Sequence, residues 1–218
     1  MTAYRLNNIE AGHNGFSLTI DDWTVEPGSM VAVVGPNGAG KTTLLNVLAF
    51  MEKPKRGTLS FRSRPVDYSS PRSLLALRRN IAYLAQNPCL FNMSVRRNIE
   101  YGLRLRGVPR NIIGEQVKQI LEELEMTELE HRNVRELSGG EVQLVALART
   151  FVLHSSVLLL DEPTGNVDKA RIGIVERRLA EMNESDGVTV IFTTHSEVQA
   201  RRMADSRIHI TAGRVAVN

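Results

Sequence analysis

Val31-Ala32-Val33-Val34-Gly35-Pro36-Asn37-Gly38-Ala39-Gly40-Lys41-Thr42 is the stretch that decides the fold of this chain. Its first four residues read as a strand buried on both faces. Gly35 to Thr42 then fits G-x-x-x-x-G-K-[ST], and Thr42 to Met51 carries Leu44, Leu45, Val47 and Leu48, as a helix packed on a sheet would. Strand, glycine loop and helix in that order predict a P-loop βα unit. The glycines let backbone N–H groups surround phosphate oxygens, and the helix opening at Lys41 aims its positive end at them. Lys41 is expected to reach the β- and γ-phosphates, and the Thr42 hydroxyl to ligate Mg²⁺. Gly35, Pro36, Asn37, Gly38, Ala39, Gly40, Lys41, Thr42 and Thr43 are the expected phosphate-binding set. Correct flanks on both sides make an accidental glycine turn the poorer reading.

Upstream, to about Glu26, short β-rich stretches such as Phe16–Ile20 and Trp23–Val25 lead to a turn at Pro27-Gly28. Downstream, Pro88 to Arg135 changes character. Val117, Ile120, Leu121 and Leu124 recur at helical spacing with Glu122, Glu123 and Glu125 on the other face, which predicts a mostly helical insertion. Strand signals return at Val157–Leu160 and Val188–Thr193, and Ala170 to Met182 reads as the crossover helix between two parallel strands. A last strand, Ser206 to Thr211, precedes a turn at Ala212-Gly213.

Two further stretches carry chemistry. Val157-Leu158-Leu159-Leu160 ends in Asp161-Glu162. Charges at the tip of a central parallel strand are costly unless they have work to do, and strand tips are where open α/β sheets bind ligands. Asp161 is expected to hold the hydration shell of Mg²⁺, and Glu162 to polarise attacking water as general base. Leu137-Ser138-Gly139-Gly140-Glu141 opens an apolar helix, with Ser138 as natural N-cap. Two glycines in a first turn weaken a helix, and close approach of an anion to bare N–H groups would account for them. The chain thus has a second phosphate-binding helix end but one P-loop.

Composition limits the alternatives. The chain has 218 residues, 42% hydrophobic and 23% charged, with net charge +3, which suits a single globular domain and favours neither nucleic acid nor lipid headgroups. One cysteine, Cys89, excludes an internal disulfide framework. The N-terminus has no secretion signal, and no apolar run is long enough to cross a bilayer. The expected location is cytoplasmic.

Taken together and in this order, the P-loop, Leu137–Glu141 and the Asp161-Glu162 strand resemble the Walker A, signature and Walker B motifs of ABC ATPases, over nearly the whole chain. The resemblance implies an α/β fold. Its core would be a P-loop (RecA-like), mostly parallel sheet over residues 1–87 and 137–218, with an N-terminal antiparallel β subdomain and an inserted helical subdomain over 88–136. It implies ATP and Mg²⁺ as cofactors. It gives Gln86 the role of the Q-loop glutamine near Mg²⁺ and water, His195 that of the switch histidine near the γ-phosphate, and Asp168 that of the D-loop aspartate. It further implies two such subunits sandwiching two ATP molecules, each signature completing the partner's site, so that a monomer hydrolyses ATP poorly. Glu141 stands where glutamine is usual. For the aromatic that stacks on adenine, alignment to the P-loop points to His13, with Tyr4 and Phe16 as other candidates.

The segment between P-loop and signature is short and has no sustained heptads, unlike the long coiled coils of soluble ABC ATPases in chromosome maintenance and DNA repair. A P-loop kinase or GTPase would leave Leu137–Gly140 without a role, and no N-K-x-D stretch is present. The expectation is an ATPase peripheral on the inner face of the membrane, driving an integral membrane permease subunit. An importer of this kind also implies a solute-binding protein, and nucleic acid is not an expected partner. Asn98 to Pro109 is similar to the helical subdomain of bacterial importers, whereas Glu162-Pro163-Thr164-Gly165-Asn166 resembles lipoprotein-release and macrolide-export ATPases. Leu48–Pro54 and Leu90–Val95 look most like tungstate and molybdate importer ATPases.

Overall fold

The computed structural model describes residues 2–13 and 15–217. In chain order, β1 (Tyr4–Ala11), β2 (Leu18–Val25) and β3 (Met30–Val34) lead into α1 (Lys41–Leu48). Then come β4 (Arg56–Phe61), β5 (Arg64–Pro65), α2 (Pro71–Arg78) and β6 (Ile81–Leu84). The helices α3 (Val95–Leu105), α4 (Arg110–Glu123) and α5 (Gly139–Phe151) follow, before β7 (Val157–Leu160), α6 (Lys169–Glu184) and β8 (Thr189–Thr194). The described chain closes with α7 (Glu197–Met203), β9 (Ser206–Thr211) and β10 (Arg214–Val217).

The strands form one sheet in the order β5-β4-β1-β2-β10-β9-β3-β8-β7-β6. On one side β1 pairs antiparallel with β2 and with β4. On the other, β9, β3, β8, β7 and β6 are parallel neighbours. The two parts join through β10, which pairs antiparallel with β9 and, among the described residues, meets β2 at Arg214↔Thr19. The crossover α6 joins two parallel strands, as its sequence pattern predicts.

Period-2 alternation splits the interior in two. Met30, Ala32, Val34, Leu158, Leu160, Val190 and Phe192 face one core, while Val31, Val33, Val157, Leu159 and Ile191 face the other. Two-sided burial explains why these strands read as unbroken apolar runs. The first core also takes Val95, Ile99 and Leu103 of α3, Val117, Ile120 and Leu121 of α4, and Ala82 and Leu84 of β6. The helical insertion is therefore anchored in the same apolar interior as the parallel sheet. The second core holds α1 through Leu44, Leu45, Val47 and Leu48.

One local expectation fails. The helix after the P-loop ends at Leu48 and does not reach Met51, because Phe50 adopts a left-handed backbone (φ 59°). That turn delivers its ring to Tyr4 and Phe61, whose centroids lie 6.3 and 5.4 Å away. The Tyr4 hydroxyl donates to the Leu48 carbonyl at 3.1 Å, satisfying an acceptor the helix end leaves free.

Candidate functional site

The site lies at the C-terminal tips of β3, β7 and β8, where three loops converge. The first is the P-loop. Gly35 passes so close to β9 that a Cβ would meet the Ile210 carbonyl oxygen at 2.3 Å, and Gly40 starts α1 from a left-handed φ of 114°. Neither position tolerates a side chain, and the backbone N–H groups at the head of α1 are left bare. Lys41 is buried, and its Nζ donates back to the Gly35 and Pro36 carbonyls at 2.8 and 3.2 Å.

The β7 tip supplies both carboxylates. Asp161 is 1% exposed; its Oδ2 accepts from Thr42 Oγ1 at 2.6 Å and its Oδ1 from Thr193 Oγ1 at 2.7 Å. Glu162 follows in a left-handed conformation (φ 51°), with its N–H donating to Thr193 Oγ1 at 2.8 Å. That strained backbone turns the Glu162 side chain into the site, where Oε1 is 4.0 Å from Lys41 Nζ and Oε2 is 2.9 Å from His195 Nδ1. Below them Tyr83 donates to Asn46 Oδ1 at 3.2 Å; burial, helped by the charge of Asp161, pushes its hydroxyl up to about 12.

Together these groups bound a cavity of about 410 Å³, with Asn37, Gly38 and Gly40–Thr43 on one side and Gln86, Asp161 and Glu162 on the other. Phe16 closes its edge, its ring lying against Gly40. A hydroxyl and a carboxylate oxygen in contact, with a side-chain amide facing them, are hard oxygen donors that fit Mg²⁺ held jointly with phosphate and water.

The adenine-stacking candidates separate. Tyr4 is fully buried in the aromatic cluster, which corrects its candidacy. His13 does not line the cavity either: its Nε2 faces Glu52 Oε1 at 3.3 Å, and the same carboxylate oxygen takes the Gly12 N–H at 2.7 Å. Of the three, Phe16 alone stands at the cavity.

The signature stretch lies outside this cavity. Ser138 caps α5 in a reciprocal box: Glu141 N–H donates to Ser138 Oγ at 3.3 Å, while Glu141 Oε2 accepts from Ser138 N at 2.7 Å and from Ser138 Oγ at 2.8 Å. Those bonds hold the Glu141 carboxyl below the usual range. The glycine pair divides. A Cβ at Gly140 would press on the Asn166 carbonyl oxygen at 2.9 Å, so packing against the loop before Asp168 accounts for it without any anion. Gly139 faces open space, where the anion argument keeps its force. Asp168 stands at the N-cap of α6, where its carbonyl accepts from the Arg171 N–H at 2.8 Å and its carboxylate makes no bond to the first turn.

Sequence reasoning passed over Thr193, which ties Asp161 to Glu162, and two buried glutamines. Gln143 on α5 donates to the Pro163 carbonyl at 3.1 Å, and Gln199 on α7 bonds Thr164 in the loop after β7 and Thr194 at the end of β8. Only polar residues at interior positions of apolar patterns hinted at them.

A P-loop helix start, a strand-tip carboxylate pair and a cavity lined by both define a nucleotide-binding ATPase. Residues 18–165 match the family described as ABC transporter. The tungstate uptake system ATP-binding protein TupC of Peptoclostridium acidaminophilum is 35% identical over 96% of the chain and 95% of its own length. The sulfate/thiosulfate import ATP-binding protein CysA of Thermosynechococcus vestitus is 38% identical over 96% of the chain, which spans only 62% of that protein. The structure of cbiO1 from Clostridium perfringens, part of the ABC transporter complex cbiONQ, is similar with a TM-score of 0.87 and 28% identity, covering 99% of this chain and 87% of that one. The chain belongs to the ABC transporter ATP-binding family and is an ATPase of that class. Among the described residues, no helix is long and apolar enough to cross a membrane.

Proposed function

We propose that the chain is the ATP-hydrolysing subunit of an importer for a tetrahedral oxyanion, with tungstate the first candidate. Glu162 carries the hydrolytic half of this reading: its strained backbone aims a carboxylate between Lys41 and His195. ATP binds with its phosphates on Gly35–Thr43 and its base against Phe16. Thr42, Asp161 and Gln86 would hold Mg²⁺, which would neutralise phosphate charge when bound. Glu162 takes a proton from the attacking water, and His195 holds the terminal phosphate. Gly139 and Ser138 serve the ATP of a second copy, because they are exposed and lie outside the cavity that Lys41 and Glu162 line. Asp168 lies at that same joint.

The transport half rests on the relatives. The two curated ones named above are an uptake and an import ATPase, and their named cargoes, tungstate and sulfate, share a shape. The export reading of Glu162–Asn166 gains nothing from them. Residues 88–136 form the helical subdomain that meets the permease. Its seat is the groove between β6, α3 and α5, where Phe91 and Tyr101 are 46% and 40% exposed with ring centroids 4.5 Å apart. A protein seated there is peripheral on the cytoplasmic face, and a solute-binding protein completes the importer. Tungstate accumulation in cells lacking the gene is the test. Restoration by the wild-type chain and not by Glu162→Gln supports the proposal; uptake unchanged by deletion refutes the cargo.

A further inference from the structure

Gln199 lies outside every motif, yet it is buried and its amide is fully engaged. Its Oε1 accepts from Thr194 Oγ1 at 2.8 Å, and its Nε2 donates to Thr164 Oγ1 at 2.9 Å and to Glu176 Oε1 at 3.0 Å. A carboxylate only accepts, so Glu176 fixes which end of the amide faces which loop. Arg202, from the same helix as Gln199, holds Glu176 through both carboxylate oxygens at 2.5 and 2.6 Å.

The two hydroxyls that Gln199 joins sit at informative places. Thr164 is two residues beyond Glu162, and Thr194 immediately precedes His195. A closed ring results: Glu162, Pro163 and Thr164, across Gln199 to Thr194 and His195, and back to Glu162 through the 2.9 Å contact. That last contact must loosen for Glu162 to turn toward water and His195 toward phosphate. Thr193 ties the stems of the two loops at Asp161 and Glu162. The Gln199 amide adds a second tie, from Thr164 in the loop after β7 to Thr194 at the end of β8, next to His195.

We propose that Gln199 is a positioning residue for hydrolysis, holding the loop after β7 and the loop after β8 in one register, with Glu176 setting the orientation of its amide. The proposal rests on Glu162 and His195 being the hydrolytic pair. When the direct Glu162–His195 contact opens, the two side chains still move as one unit. Loss of the bridge costs turnover and leaves the P-loop, and hence nucleotide affinity, intact.

The test uses the full chain, with MgATP turnover measured beside equilibrium binding of a fluorescent ATP analogue. Gln199→Leu is expected to lower kcat about tenfold while the Kd for nucleotide stays within about twofold. Gln199→Glu is expected to fall similarly, because its carboxylate faces that of Glu176. Joining it to Glu176→Gln exchanges donor and acceptor, leaves the amide oxygen at position 176 for Arg202, and is expected to bring kcat back to within about threefold of wild type. A purely structural role would lower the melting temperature without this reciprocal rescue. Wild-type kcat in Gln199→Leu overturns the proposal, as does a paired variant no faster than Gln199→Glu alone. If Gln199→Leu fails to fold, the exchanged pair decides by itself. A Glu162→Gln chain that hydrolyses ATP normally overturns instead the reading of the site, and the proposal with it.

Discussion

Two helix starts in this molecule carry glycine and a hydroxyl, and they are built differently. At the head of α1, Lys41 and Asp161 are buried, Thr42 is tied to Asp161, and three loops enclose a cavity of about 410 Å³. At the head of α5, Ser138 and Gly139 are exposed, the cap is closed by Glu141 of the same turn, and among the described residues no other loop covers Gly139. The first is a site with walls. The second is an exposed face that no other loop completes among the described residues. A helix end becomes a phosphate site only when other elements supply the remaining surfaces, and here one end receives them within the chain. The other receives none among the described residues.

Removing the group that distinguishes the enclosed end should have the largest effect. Glu162→Gln keeps volume and the left-handed turn but loses the carboxylate proposed as base, so turnover is expected to fall by about 10²–10⁴-fold. ATP binding, measured by equilibrium titration, should persist, because Lys41 and the bare N–H groups of α1 remain. Retained turnover would mean that the enclosed end binds phosphate without Glu162 acting on water.

The open end should show the reverse signature. Gly139→Val starts a side chain from a Cβ position with no described atom within 4 Å apart from its chain neighbours and its own helix backbone, so the fold and the melting temperature should hardly change. If a second copy's ATP is seated there, turnover should drop at least tenfold or so, with the affinity of the chain's own cavity unaltered. Normal turnover in Gly139→Val would reduce the head of α5 to an ordinary capped helix. The same substitution at Gly140 would not distinguish these readings, since it would also collide with Asn166.

The contrast also explains which parts of the site were legible in the sequence. The P-loop and the Asp161-Glu162 tip are contiguous, and their chemistry is written in fixed spacing on elements whose periodicity is plain. The parallel sheet and the helical insertion follow from the same periodicity. Phe16 and His13 were not separable, because the choice depends on Glu52, distant in sequence, drawing both Gly12 N–H and His13 to itself. Gly140 read as an anion position because the Asn166 carbonyl that explains it belongs to a loop beyond β7. Thr193 and Gln199 matter through partners on other strands and helices, and a single polar residue carries no spacing to betray it. What sequence misses here is tertiary satisfaction of polar groups.

The smallest expected effect concerns the closure of the open end itself. The Glu141 carboxylate accepts from both the N–H and the hydroxyl of Ser138, and the N–H is the larger cause of its lowered pKa. A carboxyl lowered on folding adds stability above its unfolded pKa, about 4.3, and loses it as pH falls through the lower folded value. Glu141→Gln still bonds Ser138 through a neutral oxygen, so the melting temperature near neutral pH should drop by only about one to two degrees. Below about pH 4 the gap between the two proteins should narrow and close as the wild-type carboxyl protonates. A gap constant from pH 7 to pH 3 would show that the charge contributes nothing to the cap. If turnover rises in Glu141→Gln while stability falls, the carboxylate also opposes an anion arriving at Gly139, and the exposed helix start is then a site held slightly unfavourable until a second copy brings its phosphate.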